Sequence, residues 1–160
     1  MRIPDDYLAI AEDGTAAELF QALDRLAQDT VGATIFTCST FNPATRQARR
    51  VYTNQPQVYP LSGMKDIDPG PWTETVLERG RTFVANTIEG VAEVFPDHDL
   101  IAGLGCGSAV NLPVKLGGLI LGTVNLLHAP HHFTPERVDR VMGLRPAAII
   151  AFAAMGKIRS

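Results

Sequence analysis

Two cysteines in 160 residues, Cys38 and Cys106, are too few for a disulfide framework, so both thiols are expected to be reduced. Long hydrophobic runs are missing as well. The longest, Ala147 to Gly156, is about half of the roughly 20 residues needed to span a bilayer. Asp5 and Asp6 stand where a signal peptide would be basic or apolar, and the expectation is a soluble, cytoplasmic chain with no membrane partner. Charge is scarce: Asp, Glu, Lys and Arg make up 19% of the chain, against about 25% in an average domain, which points to a surface partly covered by another subunit. A net charge of −3 argues against nucleic acid as the main partner. There is no Cys-x-x-Cys and no His-Glu-x-x-His, so His128, His131 and His132 lack the setting of a zinc site and no metal is expected. Gly103-x-Gly105-x-Gly107 has the wrong spacing both for a dinucleotide fingerprint and for a nucleophile elbow.

What is present, with 46% hydrophobic residues, suffices for one globular domain with a real core, and no linker or internal repeat divides residues 1–160. The first thirty residues hold seven acids against Arg2 and Arg25. The densest basic group is Arg46, Arg49 and Arg50, read as the solvated edge of a hairpin. Thr15-Ala-Ala-Glu18 is a capping box, and Leu19, Leu23, Leu26 and Ala27, with Phe20 beside them, form an apolar stripe; together they predict a helix over 16–30, stopped by Gly32.

Residues 33–41 and 49–54, joined by Asn42-Pro43-Ala44-Thr45, read as a β-hairpin. From 55 to 71 the breakers Pro56, Pro60, Gly63, Pro69, Gly70 and Pro71 predict a long loop of the kind used as a lid or binding loop. A short helix over 72–79, a strand over 82–85 and helical turns within 88–104 follow. The strongest β signal is the pair 108–116 and 119–127 around Gly117-Gly118, a tight primed turn. Its second strand is apolar on both faces and should lie in the middle of the sheet. Thr134-Pro135-Glu136 opens a last helix that Pro146 should kink or interrupt. The segment Ala147 to Met155 is apolar all round, more than one sheet face can bury, and predicts a homodimer.

This order is α+β, with an antiparallel sheet, terminal helices on one face and a loop layer on the other that leaves a cavity. Ser108-Ala-Val-Asn-Leu-Pro-Val, the Gly-Gly turn, Leu121-Gly-Thr-Val-Asn-Leu-Leu and Phe133-Thr-Pro-Glu resemble the closing half of a GAF domain, with a core over about 15–155. The resemblance implies a six-stranded antiparallel sheet, a small-molecule pocket between sheet and loops, a sensory role and a dimer through the terminal helices. No kinase, cyclase, nuclease or DNA-binding segment fits in the 160 residues, so any signal is expected to pass to a separate output protein. No ligand or cofactor is identified.

One enzymatic branch of that family, the free methionine sulfoxide reductases, supplies an alternative. Its pocket acids fall on Asn125, Leu127 and Ala109, and its cysteines on Ala102 and Trp72, so the chain lacks both sets. Only Cys106, displaced by four residues and with His98 as its nearest plausible imidazole, could serve thiol chemistry. Cys38 reads as a small core residue. The expected ligand-binding set is Tyr52, Tyr59, Trp72, His98, Cys106, Asn111, Thr123 and Asn125, with Ala109 and Leu127 beside it. Such a neutral lining suits an uncharged or weakly polar planar molecule. Asn125 lies mid-strand among apolar residues, so its amide must bond either to backbone or to a bound molecule.

Overall fold

The computed structural model describes residues 2–156. Along the chain come α1 (Asp5–Asp13), α2 (Ala16–Thr30), β1 (Ile35–Asn42), β2 (Gln47–Thr53), β3 (Lys65–Asp66), α3 (Pro71–Thr73), β4 (Phe83–Ala85), α4 (Ile88–Ala92), α5 (His98–Gly103), β5 (Ser108–Leu116), β6 (Leu119–His128), α6 (Pro135–Met142) and α7 (Arg145–Met155). The six strands form one antiparallel sheet in the order β3-β2-β1-β6-β5-β4, so the doubly apolar β6 lies centrally, as its composition predicts.

The predicted helix over 16–30 is α2. The Thr15 hydroxyl accepts from the Glu18 amide at 3.2 Å while the Glu18 carboxylate accepts from the Thr15 amide at 3.0 Å, which satisfies two amides of the first turn. Gly117 and Gly118 both take positive φ in the β5–β6 turn, as a primed turn requires. Pro146 is the second residue of α7, and the helical path breaks just before it, at Gly143 and Leu144.

One face of the sheet carries Phe36, Cys38, Val110, Leu112, Val124 and Leu126 into a core shared with α2, α6 and α7. Gly122 of β6 is the tight point: a Cβ there would collide with the Ser39 carbonyl and lie 2.6 Å from the Phe152 ring. Helix α1 was not anticipated. It packs on α2 and α7, and the buried Tyr7 hydroxyl donates to the Ala147 carbonyl at 2.5 Å. The all-round apolar α7 is therefore sandwiched between the sheet and the other two helices of the same chain. Ala147, Ala148, Ala151 and Phe152 are buried there, and Phe152 meets Phe20 edge to face.

The opposite face is roofed by the segment 54–64, α3 with the π-helical turn Glu74–Glu78 that continues it, and α4 and α5. Within the predicted 55–71 loop, Lys65 and Asp66 pair with Ala48 and Gln47 as β3, a strand too short to signal itself in the sequence. Beneath the roof Ile35, Ala85, Val91, Ile101, Cys106, Ala109 and Leu127 form a second, smaller apolar cluster. No helix of the described residues is long and apolar enough to cross a membrane.

Candidate functional site

Between the roof and the sheet lies a cavity of about 240 Å³, just below the roughly 300–1,000 Å³ typical of small-molecule sites. Its floor is the middle of β1, β6 and β5, which send Thr37, Thr123, Asn125 and Asn111 upward because these positions alternate with the core-facing Cys38, Val124, Leu126 and Val110. Ile35, Leu127, Ile101 and Phe95 close one end, while Phe41, Ala48, Ile67 and Leu77 line the other.

The floor is a chain of hydrogen bonds. Trp72, at the start of α3, donates its indole N–H to Asn111 Oδ1 at 2.9 Å. Asn111 Nδ2 donates to Asn125 Oδ1 at 2.7 Å, and Asn125 Nδ2 donates to Thr37 Oγ1 at 3.2 Å. The mid-strand amide of Asn125 is thus satisfied mainly by two other side chains, a solution that neither backbone nor ligand alone represents. The same chain ties the indole of the roof helix α3 to the sheet. The Thr123 hydroxyl has no partner among the described residues, although Thr123 is buried at the cavity wall.

At the roof, the Tyr59 hydroxyl donates to Asp97 Oδ2 at 2.6 Å, joining the 54–64 segment to the turn before α5. Burial and this bond hold the Tyr59 hydroxyl above the ordinary phenol range. The Arg50 guanidinium lies over the Tyr59 ring, 5.1 Å from its centroid, and donates through Nη1 to the Pro60 carbonyl at 3.0 Å.

Of the expected ligand-binding residues, Tyr59, Trp72, Asn111, Thr123 and Asn125 line this one cavity, and Leu127 joins them. Three lie elsewhere. Tyr52 sits on the helical face, where its hydroxyl donates to Asp24 at 2.6 Å and its ring meets Phe20 and Phe36. The cause is a β-bulge: register against β1 shifts between the Cys38–Tyr52 and Ser39–Arg50 pairs, so Val51 is extra and Arg50 and Tyr52 point to opposite faces. His98 opens α5 outside the cavity lining, its Nδ1 3.3 Å from the exposed Asp99 carboxylate. Cys106 lies within the second apolar cluster, 2% exposed, and burial raises its thiol pKa, with Thr34 acting weakly in the opposite direction.

The glycines beside Cys106 are used structurally. Gly105 takes φ 81° in the turn after α5, and a Cβ on Gly107 would meet Pro130 at 2.6 Å. Ala109 is fully buried in that same cluster, and Ala102 is exposed on α5. His128 and His132 stack at 3.7 Å, and among the described residues no group of three or more His, Cys, Asp or Glu side chains could hold a metal ion.

The lining is also less neutral than expected. Arg50 and Asp97 both belong to it, and sequence reasoning missed them. The dense group Arg46, Arg49 and Arg50 predicts a solvated edge, yet adjacent strand residues face opposite ways. Arg49 is exposed, Arg46 pairs with Glu78 at 3.1 Å, and Arg50 turns inward. That alternation was the available signal. Asp97 carried none, because its place depends on how the α4–α5 turn is folded.

Comparison with solved structures gives the same architecture. A GAF domain/HD domain protein from Geobacter sulfurreducens superposes with a TM-score of 0.71 at 13% identity, covering 91% of this chain and 97% of that one. The GAF domain of a two-component sensor histidine kinase from Bacillus halodurans gives 0.70 at 8% identity, with 87% and 94% covered. The second GAF domain of DevS from Mycobacterium smegmatis gives 0.63 at 14%, with 89% and 96% covered. At such identities the likeness is one of fold. No curated protein matches the sequence significantly. The profile of the GAF domain matches residues 13–145, and with the six-stranded sheet and its roofed face this shows that the chain belongs to the GAF domain family.

Proposed function

We propose that this GAF domain is a sensory module that holds a small planar molecule in the cavity between its sheet and its roof, with no catalytic step of its own. The observation that carries the reading is the Trp72–Asn111–Asn125–Thr37 chain: a hydrogen-bonded floor under a cavity, with an aromatic anchor from the roof at one end. Polar groups arranged this way fix the orientation of a flat ligand, while the apolar ends supply contact area. Membership of the family, and a likeness of fold to the GAF domain of a sensor histidine kinase, agree with a sensory role. The reductase alternative is disfavoured by its own candidate: Cys106 is buried, its thiolate is suppressed, and it stands outside the cavity lining.

Trp72 is the single tryptophan of the chain, so its emission reports on the cavity directly. Native mass spectrometry of the purified protein, followed by a metabolite screen read by thermal shift and Trp72 emission, should find a small molecule that changes both. Ser39→Phe, which fills the cavity from a half-buried position, should keep the apo melting temperature within a few degrees and abolish both responses. A responding ligand that binds Ser39→Phe as well as the native chain would place the site elsewhere.

A further inference from the structure

We infer that the ligand carries one carboxylate and that Arg50 receives it; the inference rests on the cavity being a small-molecule site. Arg50 is held as a receptor rather than left as a free surface side chain. Its backbone amide donates to Ser62 Oγ at 2.9 Å, its carbonyl accepts from the Ser62 amide at 3.2 Å, and its Nη1 is committed to the Pro60 carbonyl. The Tyr59 ring supports one face of the guanidinium. What remains is the Nε–Nη2 edge. Nε is buried from water without an acceptor, the one buried side-chain nitrogen or oxygen in that condition among the described residues. No acceptor for Nη2 is found among them either, and no carboxylate of theirs comes within 4.0 Å of the group.

Arg46 pairs with Glu78 at 3.1 Å and Arg79 with Glu74 at 2.6 Å, both at the surface, where such pairing contributes little. The inward Arg50 has no carboxylate beside it, and its Nε is buried without an acceptor. Asp97 shares the cavity but bonds the Tyr59 hydroxyl instead. The Nε–Nη2 edge is the side of a guanidinium that meets a carboxylate with two parallel hydrogen bonds. Nη2 is the donor open to a carboxylate oxygen, and a second oxygen meets the buried Nε only where the segment bearing Tyr59 and Pro60 yields to the ligand. The Asp97 charge nearby favours a singly charged group over a phosphate dianion. Across the cavity the Thr123 hydroxyl and the amide floor receive the neutral polar end, so the ligand is a small aromatic acid of one or two rings.

The test uses the full chain and matched pairs: benzoate with benzamide, phenylacetate with phenylacetamide, and indole-3-acetate with indole-3-acetamide, each titrated by calorimetry and thermal shift. At least one acid should bind about tenfold or more tightly than its amide, a preference that falls to about twofold or less in Arg50→Gln and is partly kept in Arg50→Lys. Apo melting and circular dichroism check the folding of both variants, and Arg50→Lys carries the comparison if Arg50→Gln does not fold. An acid preference that survives Arg50→Gln overturns the inference, and so does phenyl phosphate binding more tightly than phenylacetate. Amides that bind as well as their acids remove the carboxylate and leave the small-molecule site standing. If no compound of either kind binds, both readings fail for ligands of this size.

Discussion

At the scale of single residues, the floor of the cavity is a structural device first. Replacing Asn111 with alanine strands the Trp72 indole N–H and one side of Asn125 together, a loss of about 1–3 kcal/mol for buried polar groups left unmade. At this chain length Asn111→Ala should therefore lower the melting temperature by about 3–10 °C, and Trp72 emission should move to longer wavelength as the indole gains water. An unchanged emission spectrum would mean that the bond to Asn111 does not hold the ring. Cys106 gives a second expectation. Burial raises its pKa, so the thiolate fraction near neutral pH is small; alkylation of the native protein should be slow, and turnover of free methionine sulfoxide with a thiol reductant should be absent. Turnover that Cys106→Ser abolishes would restore the reductase reading. Much of this site was legible, because alternation along β5 and β6 places Asn111, Thr123 and Asn125 on one face whatever the details. Arg50 was legible in the same way, by its alternation with the exposed Arg49, and Tyr52 was not: a single extra residue at Val51 turns it to the face opposite Arg50, and a bulge leaves no mark that hydrophobic patterning can read.

At the scale of elements, the end of β6 is pinned to the end of α2 by a pair of imidazoles. His128 and His132 stack 3.7 Å apart, and His132 Nε2 lies 2.9 Å from the Val31 carbonyl just past the helix. Arg137 Nη1, from the first turn of α6, donates to the His132 carbonyl at 2.9 Å, so a cation stands beside this loop. Partial burial, then His132 and then Arg137 lower the pKa of His128 below 6.5. The unfolded chain therefore binds the proton more readily than the folded one, and stability falls as pH drops through the range below 6.5. Thermal melts between about pH 7 and pH 5 should show a smaller acid-induced fall for His128→Gln than for the native chain. Equal falls would remove His128 from the acid response. The sequence marks the elements well where local chemistry decides them. The capping box, the Gly-Gly turn and Thr134-Pro135 each satisfy or pre-set backbone groups on the spot, so α2, the β5–β6 hairpin and α6 were readable. Helix α1 was not, because it has no side-chain cap and only Tyr7 buried on its own length, and its stability comes from docking on α2 and α7. The short β3 likewise exists through its pairing with β2.

At the scale of the whole molecule, the sheet is a shared partition. Strands β1 and β6 send Thr37 and Asn125 into the cavity and Cys38 and Val124 into the helical layer, and Gly122 lets the Phe152 ring rest directly on the strand. A ligand that shifts β6 therefore acts on α7 without an intervening side chain. This gives the helical layer its part in the sensory reading, and it narrows the surface through which a homodimer can form. The buried side of α7 is already occupied by α1, α2 and the sheet, so a second copy has Leu8, 47% exposed, and the half-buried Ile150 and Met155 to cover. The two α7 residues then separate folding from assembly. Phe152→Asp places a charge against Phe20 inside the core and should unfold the chain, since losing such a ring alone costs about 3–5 kcal/mol. Ile150→Asp changes a half-buried position and should leave a folded protein. Sedimentation at tens of micromolar, a concentration on the order of ordinary dimer affinities, should find the native chain dimeric and Ile150→Asp monomeric with unchanged far-UV circular dichroism. A native chain that sediments as a monomer removes the dimer and confines any signal to movements within one domain; an Ile150→Asp protein that stays dimeric moves the interface off α7.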